Sequence, residues 1–566
     1  MEQEEHDSRT GLSRKSFIAG TVAAGAALGL GGTKALARPA TPKSQANNPN
    51  REFEALVLRK GKILTMDGSS RVVDEARIEN GRFVEVGNHV DPRNAKLVNL
   101  KGRTVVPGLI ETHIHFVSLG NRPGHHVVIE RATNIAEIQE LLAARRPSVP
   151  AGEFITGMGG WRTNMFAEQR LPTLAELDDA VPDRPVFLLM TGSGPSATNS
   201  LGKAFFETVT SPLAGPVAVG ADGSIASGSA SNTALYHLRV RQTAADKERS
   251  AHDSMAYSVS TGLTTILDQV LPPSPGPINP GQSLSGLDHF RMYDPFLAIH
   301  RRNEMLLRLQ TNFLHNQNDI NLPELKERLK NQFQLFGDDM FRTGGIGEWG
   351  APVPASTTAT SFAAWTEAQR LIAQARWRNE NAASSLGSLT TVIAGYEAVD
   401  AEFGIKDLRW RVQHADAATP ELLERLKALG SGISMSGHRW TGTGSANYRT
   451  IVDSGIPYAF HQDGVHIAPL NPWFALYYAT TGLNFAGQQT NPGQSLTRLE
   501  ALHGMTRGAA WYMNMEDRLG SIEVGKLGDL VVLDRDYLTV SDADMRLTKP
   551  VLTVVGGKVV YDAGVL

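Results

Sequence analysis

With 41% hydrophobic and 20% charged residues, a chain of 566 residues has the composition of an ordinary globular protein and is long enough for several domains or one large barrel with insertions. A net charge of -3 excludes both the basic face that nucleic acid requires and an acidic tail, which leaves a small molecule as the expected partner. Cysteine is absent, so disulfides and thiolate ligands are excluded and any soft metal site must use histidines and carboxylates.

Residues 1–37 differ from the rest. Arg14 and Lys15 precede Phe17 and Ile18, a weakly apolar Ala/Gly run follows, and an Ala-Leu-Ala ends at Ala37. The pattern resembles a twin-arginine export signal cut after Ala37, with Lys15 where a second arginine is expected, and predicts a periplasmic protein. The run is too short and Gly-rich to span a bilayer. No later stretch is apolar enough to do so, so no stable membrane anchor is expected in the mature form. Residues 38–52 read as a polar linker.

From Phe53 to Pro107 short β-branched runs separated by Asn-Gly or Lys-Gly predict hairpins, and residues 515–566 repeat that texture, with Gly556 and Gly557 as a tight turn. Between them, over 108–514, strand-like segments such as LTTILDQV, RTGGIGEWG, LRWRVQHAD, GSGISMSGH and IPYAFHQDG alternate with amphipathic stretches such as PELKERLKNQFQLFG and TPELLERLKALG. Repeated strand-then-helix units predict a parallel sheet closing into a TIM-like (β/α)8 barrel, an α/β fold whose reactive residues sit at the C-terminal ends of the strands. The segment from about 125 to 250 breaks the rhythm and predicts an inserted α/β subdomain that covers the site.

The chemistry-bearing motif is GLIETHIHF, Gly108 to Phe116. In an extended strand His113 and His115 share one face, and two neutral imidazoles on one face make half of a metal site. A plain structural pair is the alternative, because His-x-His is a short motif. Glu348, His414, His438 and Asp463 also fall at or beyond presumed strand ends. His438 and His461 are further candidates, each with a core or solvent-facing histidine as its alternative; His466, His125 and His126 rank behind them. Trp161, Phe116, Trp349 and Trp440 suggest a pocket for an apolar or aromatic group, with packing as the plainer reading.

GRTVVPGLIETHIH resembles the first barrel strand of the amidohydrolase superfamily, and MEDRLGSIEVGKLGDLVVLDRDYLTV resembles its return into a terminal β-sandwich built from 53–107 and 515–566. WRTNMFAEQRLPTLAELDDAVPDRPVFL and LNPWFALYYATTGLN are similar to the amidohydrolase family 3, or YtcJ-like, branch. The resemblance implies one or two divalent metals, with zinc the expected ion. The ligands it implies are His113 and His115, Glu348 in place of a carboxylated lysine, His414 after the sixth strand and Asp463 after the eighth. It departs at the fifth strand, where Glu380, Asn381 or Ala382 stands in place of a histidine, and in TGSGPSATNS, where relatives often carry a histidine. The implied activity is hydrolysis of a non-peptide carbon–nitrogen bond. Asp463 would be the general acid/base, and His414 a ligand or a carbonyl polariser. A lactonase or esterase, or a non-catalytic binding relative, are the rival readings, and homo-oligomerisation is left open.

Overall fold

The computed structural model describes residues 55–269, 278–282, 286–288, 291–437, 446–464 and 468–566. The expected export signal and linker, together with His438, Trp440 and His466, lie outside the described residues.

Eight parallel strands follow one another along the chain: Leu109–Ile114, Leu263–Asp268, Arg308–Phe313, Phe341–Ile346, Glu380–Ala382, Arg411–Gln413, Gly432–Ser436 and Tyr458–His461. They are called here the first to the eighth strand. The first four pair in order as one sheet and the last four as another. The fourth and fifth meet through a parallel bridge, Ile346 to Asn379, where Ile346 N donates to Arg378 O at 2.9 Å. The eighth meets the first where Asp463 N donates to His113 O at 3.1 Å and Thr112 Oγ1 donates to Phe460 O at 3.0 Å. Strands covered on both faces carry continuous rather than alternating apolarity, and the second strand, LTTILD, is buried at every residue.

Helices between the strands start and stop where their residues dictate. Thr419 caps Pro420–Ala428 by accepting from Leu422 N, Pro420 occupies the first turn, and Leu422, Leu423 and Leu426 face inward. Burying each of those leucines stabilises the fold by roughly 1.5–3 kcal/mol. Ser385 opens Leu386–Phe403, and Gly404, at φ 64°, closes it with a backbone turn that suits glycine. The stretch PELKERLKNQFQLFG forms a helix only over Pro323–Leu329. Beyond Leu329 its apolar residues meet no partner layer, and Phe333 and Phe336 are 50% and 65% exposed; without a buried face a helix this short is not held.

Both chain ends contribute sheet. One sheet orders Arg82–Gly87, Glu75–Glu79, Ala55–Arg59 and Ala95–Asn99; the other joins Lys558–Asp562, Pro550–Val555, Leu530–Leu533, Thr104–Pro107, Lys62–Leu64 and Val72–Val73. Leu56, Ile78 and Phe83 from the first pack in one cluster with Val105, Leu530, Val532 and Leu552 from the second. Between the first and second parallel strands lies a separate five-stranded sheet formed by His125–His126, Ile155–Met158, Val186–Leu189, Ser196–Thr198 and Ser224–Ile225. Its core includes Ile138, Leu142, Ile155, Trp161 and Leu177. Helix Ala244–Ser260 returns the chain to the parallel strands, placing Ala251, Met255 and Val259 in their core. Among the described residues no helix is long and apolar enough to cross a membrane.

Candidate metal centre

Five side chains from four strand ends converge. His113 lies within the last two residues of the first strand and His115 just past it, at the start of helix Phe116–Leu119. Glu348 follows the fourth strand, His414 the sixth and Asp463 the eighth. Asp463 Oδ1 lies 3.6 Å from His113 Nε2 and 3.5 Å from His115 Nε2; Asp463 Oδ2 is 3.9 Å from His414 Nε2. The Glu348 carboxylate spans the opposite side, 3.9 Å from His115 Nε2 and 4.0 Å from His414 Nε2. Two triads result, His113–His115–Glu348 and His113–His414–Asp463, and His113 belongs to both. His414 and Asp463 hold φ of 55° and 56°, left-handed backbone that costs a non-glycine residue of order 1 kcal/mol and is tolerated where function fixes it.

Each imidazole is held from behind through Nδ1. His113 Nδ1 donates to Gln413 Oε1 at 2.5 Å, and His115 Nδ1 meets the Gln269 carbonyl at 2.5 Å. His414 Nδ1 contacts His461 Nε2 at 3.1 Å and Ser436 Oγ at 3.2 Å, while His461 Nδ1 reaches Ser434 Oγ at 2.7 Å. With Nδ1 engaged in this way, the Nε2 lone pairs are directed at the shared centre, which is how proteins orient histidine ligands.

The residues fit a divalent cation. His113 Nε2 and Asp463 Oδ1 are buried and make no hydrogen bond. A tetrahedral ion bonded at about 2.0–2.1 Å sets its donors about 3.4 Å apart, close to the separations between Asp463 Oδ1 and the first two histidines. Burial, reinforced by the neighbouring His414 and His115, holds His113 well below the ordinary histidine range, so it is a neutral donor at pH 7. Burial first, then the charges of Asp463 and Glu380, push Glu348 well above the ordinary carboxylate range. Two carboxylates facing one another in a buried site are the arrangement a bound cation relieves.

The fifth strand supplies no ligand. Asn381 turns outward, accepting from Trp365 Nε1 at 3.0 Å and donating to Gln369 and Tyr396. Glu380 is committed beneath the centre, accepting from Gln413 Nε2 and, at 2.9 Å, from Gln269 Nε2. Burial pushes its carboxyl up to about 7 against the opposing pull of Arg378. Ala382 shares the face of Glu380 by strand alternation but has no donor atom. His125 pairs with Glu153, and His126 accepts from Arg122 at 2.8 Å, so both serve the insertion. Trp161 packs on Phe166 and Phe116 on Phe296, both fully buried; they are core and do not line a pocket.

The insertion reaches the centre on the His115 side. There His115, Ser118, Arg122, Met158, Gly192 and Arg239 line a cleft of about 30 Å³. Gly192 belongs to TGSGPSATNS, so that stretch comes to the site although it carries no histidine. A larger groove of about 590 Å³, lined by Phe154, Phe205, Arg241 and Arg249, holds none of the five candidate ligands. The sequence reading missed Gln413, Gln269, Arg122 and Arg239. For Gln413 alone a signal existed, its place one residue before His414 in RVQHAD.

The sequence pattern of the amidohydrolase family matches residues 96–561, and the chain belongs to that family. Hydrolases are among the relatives and solved structures that it resembles. The chain is 23% identical over 556 residues to Protein LONG AFTER FAR-RED 3 of Arabidopsis thaliana, covering 89% of this chain and 91% of that protein. It is 21% identical over 550 residues to the N-substituted formamide deformylase of Arthrobacter pascens, covering 90% and 99%. Among solved structures it is similar to an uncharacterized metal-dependent hydrolase from Pyrococcus furiosus, with a TM-score of 0.55, 20% identity and coverage of 86% and 100%. It is also similar to the atrazine chlorohydrolase of Arthrobacter aurescens TC1 complexed with zinc, with a TM-score of 0.51, 16% identity and coverage of 90% and 95%.

Proposed function

We propose that this protein hydrolyses the amide bond of a small N-substituted amide, with an N-substituted formamide as the nearest chemical type. The observation that carries the reading is the convergence of five candidate ligands around two buried atoms, His113 Nε2 and Asp463 Oδ1, that make no hydrogen bond. The deformylase relative supports the choice of bond, and the zinc-bound structural neighbour supports zinc.

His113, His115 and Asp463 would hold the ion, with Glu348 and His414 as the remaining candidate ligands. When bound, such a cation lowers the pKa of a water to about 7 and polarises a carbonyl oxygen. Asp463 accepts the proton of the attacking water and returns it to the leaving nitrogen, a transfer that requires a carboxylate fixed within hydrogen-bond reach. Its backbone N–H, bonded to His113 O, fixes it there. His414, steadied by His461 and Ser436, faces the substrate carbonyl. Because Ala382 offers no donor, one tightly held ion is the expected state.

The same reading completes the architecture: the two parallel sheets close as a (β/α)8 barrel, and the end sheets form a β-sandwich. It also includes export to the periplasm through the N-terminal segment and a small-molecule partner. The test is hydrolysis of N-butylformamide beside γ-valerolactone by the zinc-loaded protein, with His113→Ala as control. Release of butylamine by the wild type alone supports the reading; lactone turnover without amide turnover overturns it in favour of an esterase.

A further inference from the structure

The fifth strand supplies no ligand, yet it reaches the metal centre from below. Its residue Glu380 pairs in register with Arg411 of the sixth strand, and Ala382 with Gln413, so by alternation all four share the inner face. Gln413 therefore lies one layer above Glu380. Its Nε2 donates to Glu380 Oε2, while its Oε1 accepts from His113 Nδ1 at 2.5 Å. Glu380 Oε2 also accepts from Gln269 Nε2 at 2.9 Å, and Oε1 faces Arg411 Nη1 at 3.4 Å. Glu380, Gln413, Gln269 and Arg411 are all buried.

A side-chain amide can face either way, whereas an ionised carboxylate only accepts and a backbone N–H only donates. On the far side of Glu380, Gly345 N donates to Asn312 Oδ1 at 3.0 Å, Asn312 Nδ2 to Gln269 Oε1 at 2.9 Å, and Gln269 Nε2 to Glu380. Every bond in that chain runs one way, from a backbone donor to the carboxylate. Gln413 is bound by the same direction: its amino end is drawn down to Glu380, and its oxygen is turned up to receive the Nδ1 proton of His113. Turned over, the amide would donate to Nδ1 and leave the proton on His113 Nε2. That atom faces Asp463 Oδ1 at 3.6 Å, and an ion needs it bare. His115 is set independently. Its Nδ1 meets the backbone carbonyl of Gln269, which only accepts, and Gln269 N in turn donates to Ile114 O at 2.7 Å.

We infer that Glu380 is a positioning residue for the metal centre: acting through Gln413, it fixes the tautomer of His113, and this is what the fifth strand contributes where it lacks a ligand histidine. The inference rests on the reading above for the presence of the ion. With the ring set in advance, binding an ion requires neither a proton shift between the ring nitrogens nor a turn of the amide. An amide at position 380 could not do the same. Its NH2 end must face either Arg411 or the two glutamine amides, donor against donor. Turning Gln413 over relieves the conflict on that side and forfeits the His113 tautomer.

The test measures zinc affinity by competition with a chromophoric chelator, which needs no substrate, in the wild type, Glu380→Gln, Glu380→Asp, Gln413→Leu and the double variant Glu380→Gln/Gln413→Leu. Each Glu380 variant is expected to bind zinc about 10–100-fold more weakly. The double variant is expected to be no weaker than Gln413→Leu alone, because residues that act in series do not add. Losses that multiply in the double variant would overturn the inference, since Glu380 would then act on the ion by its charge. Unchanged affinity in Glu380→Asp, which keeps the charge and withdraws the acceptor from Gln413, would overturn it too. Proton NMR of the cobalt-substituted protein gives a signature that a merely structural role would not move. The wild type is expected to show exchangeable, paramagnetically shifted Nδ1–H signals for His113 and His115, and Glu380→Gln to lose only that of His113; retention of both would overturn the inference. Should Glu380→Gln fail to fold, as its melting curve would reveal, the affinity and cobalt spectrum of Glu380→Asp decide, because it keeps a charge beside Arg411. The expected pattern of zinc affinities without turnover of any formamide would keep the positioning role and sink the proposed reaction, whereas turnover with affinity indifferent to Glu380 would do the reverse.

Discussion

Gln413 stands between His113 and Glu380: its Oε1 receives His113 Nδ1–H at 2.5 Å, and its Nε2 donates to the buried Glu380 carboxylate. One side chain thereby fixes the tautomer of the histidine shared by both candidate triads. Gln413→Leu removes the acceptor, so the ring is free to present the wrong nitrogen. Zinc affinity, measured by competition with a chromophoric chelator, is expected to fall about 10–100-fold, the usual effect of losing a partner that orients a ligand. Glu380 keeps Gln269 and Arg411 as partners, so the variant is expected to fold. Unchanged affinity would mean that packing alone sets the ring.

Metal content and turnover separate the roles of His113 and Asp463. Elemental analysis of protein purified without chelator is expected to give about one zinc-sized ion per chain, and none in a His113→Ala/His115→Ala variant, because three or four protein ligands define such a site. Asp463→Asn keeps a carbonyl oxygen for the ion but loses the general base, so kcat is expected to drop roughly 10²–10⁴-fold with metal still bound. About two ions per chain would show that Glu348 bridges a pair, and retained turnover in Asp463→Asn would remove Asp463 from the proton transfer.

Much of this arrangement was legible because strand ends announce themselves. THIH, GEWG, QHAD and HQDG each lie at or just past the end of a short β run, and parallel strands deliver their ends to one rim. The alternation argument was less secure than its outcome: the first strand ends at Ile114, and His115 reaches the centre from the start of a helix. The fifth strand could not be read, since Glu380, Asn381 and Ala382 are adjacent and only the hydrogen bonds of Asn381 to Trp365 and Tyr396 show which faces outward. Arg122 and Arg239 were out of reach for another reason. They are more than a hundred residues apart in the chain, and nothing local to HLRVR says that the insertion folds back over His115.

The parallel strands are tied to the end sheets by a buried ion pair. Arg308, at the start of the third strand, meets both oxygens of Asp529 at 2.8 Å, and the two side chains are 4% and 3% exposed. Asp529 also accepts from Gly556 N at 2.7 Å. Replacing it by asparagine leaves a buried guanidinium without its counter-charge, a change that costs about 3–5 kcal/mol. Chemical denaturation of Asp529→Asn is expected to show that loss, whereas Arg308→Met/Asp529→Leu recovers most of it. A loss below about 1 kcal/mol in the single variant would mean that the pair is solvated.

A second pair gives stability an acid limit. Arg449, on helix Tyr448–Asp453, makes two bonds to Glu500, on helix Arg498–Gly504, at 2.8 and 2.6 Å. The Glu500 carboxyl is held down at about 2 by Arg449 first and then by Thr497, against an ordinary value of 4.5. Because the folded chain binds that proton more weakly than the unfolded chain, its stabilisation is complete above about pH 4.5 and is lost as pH falls toward 2. The full shift corresponds to roughly 3 kcal/mol, and solvent screening at a side chain 30% exposed reduces it to about 1–2 kcal/mol. Melting curves of Glu500→Gln are therefore expected to lie below the wild type at pH 7 and to converge with it near pH 2. A constant gap between the two across that range would show that the ion pair contributes through packing and that its charge does not matter.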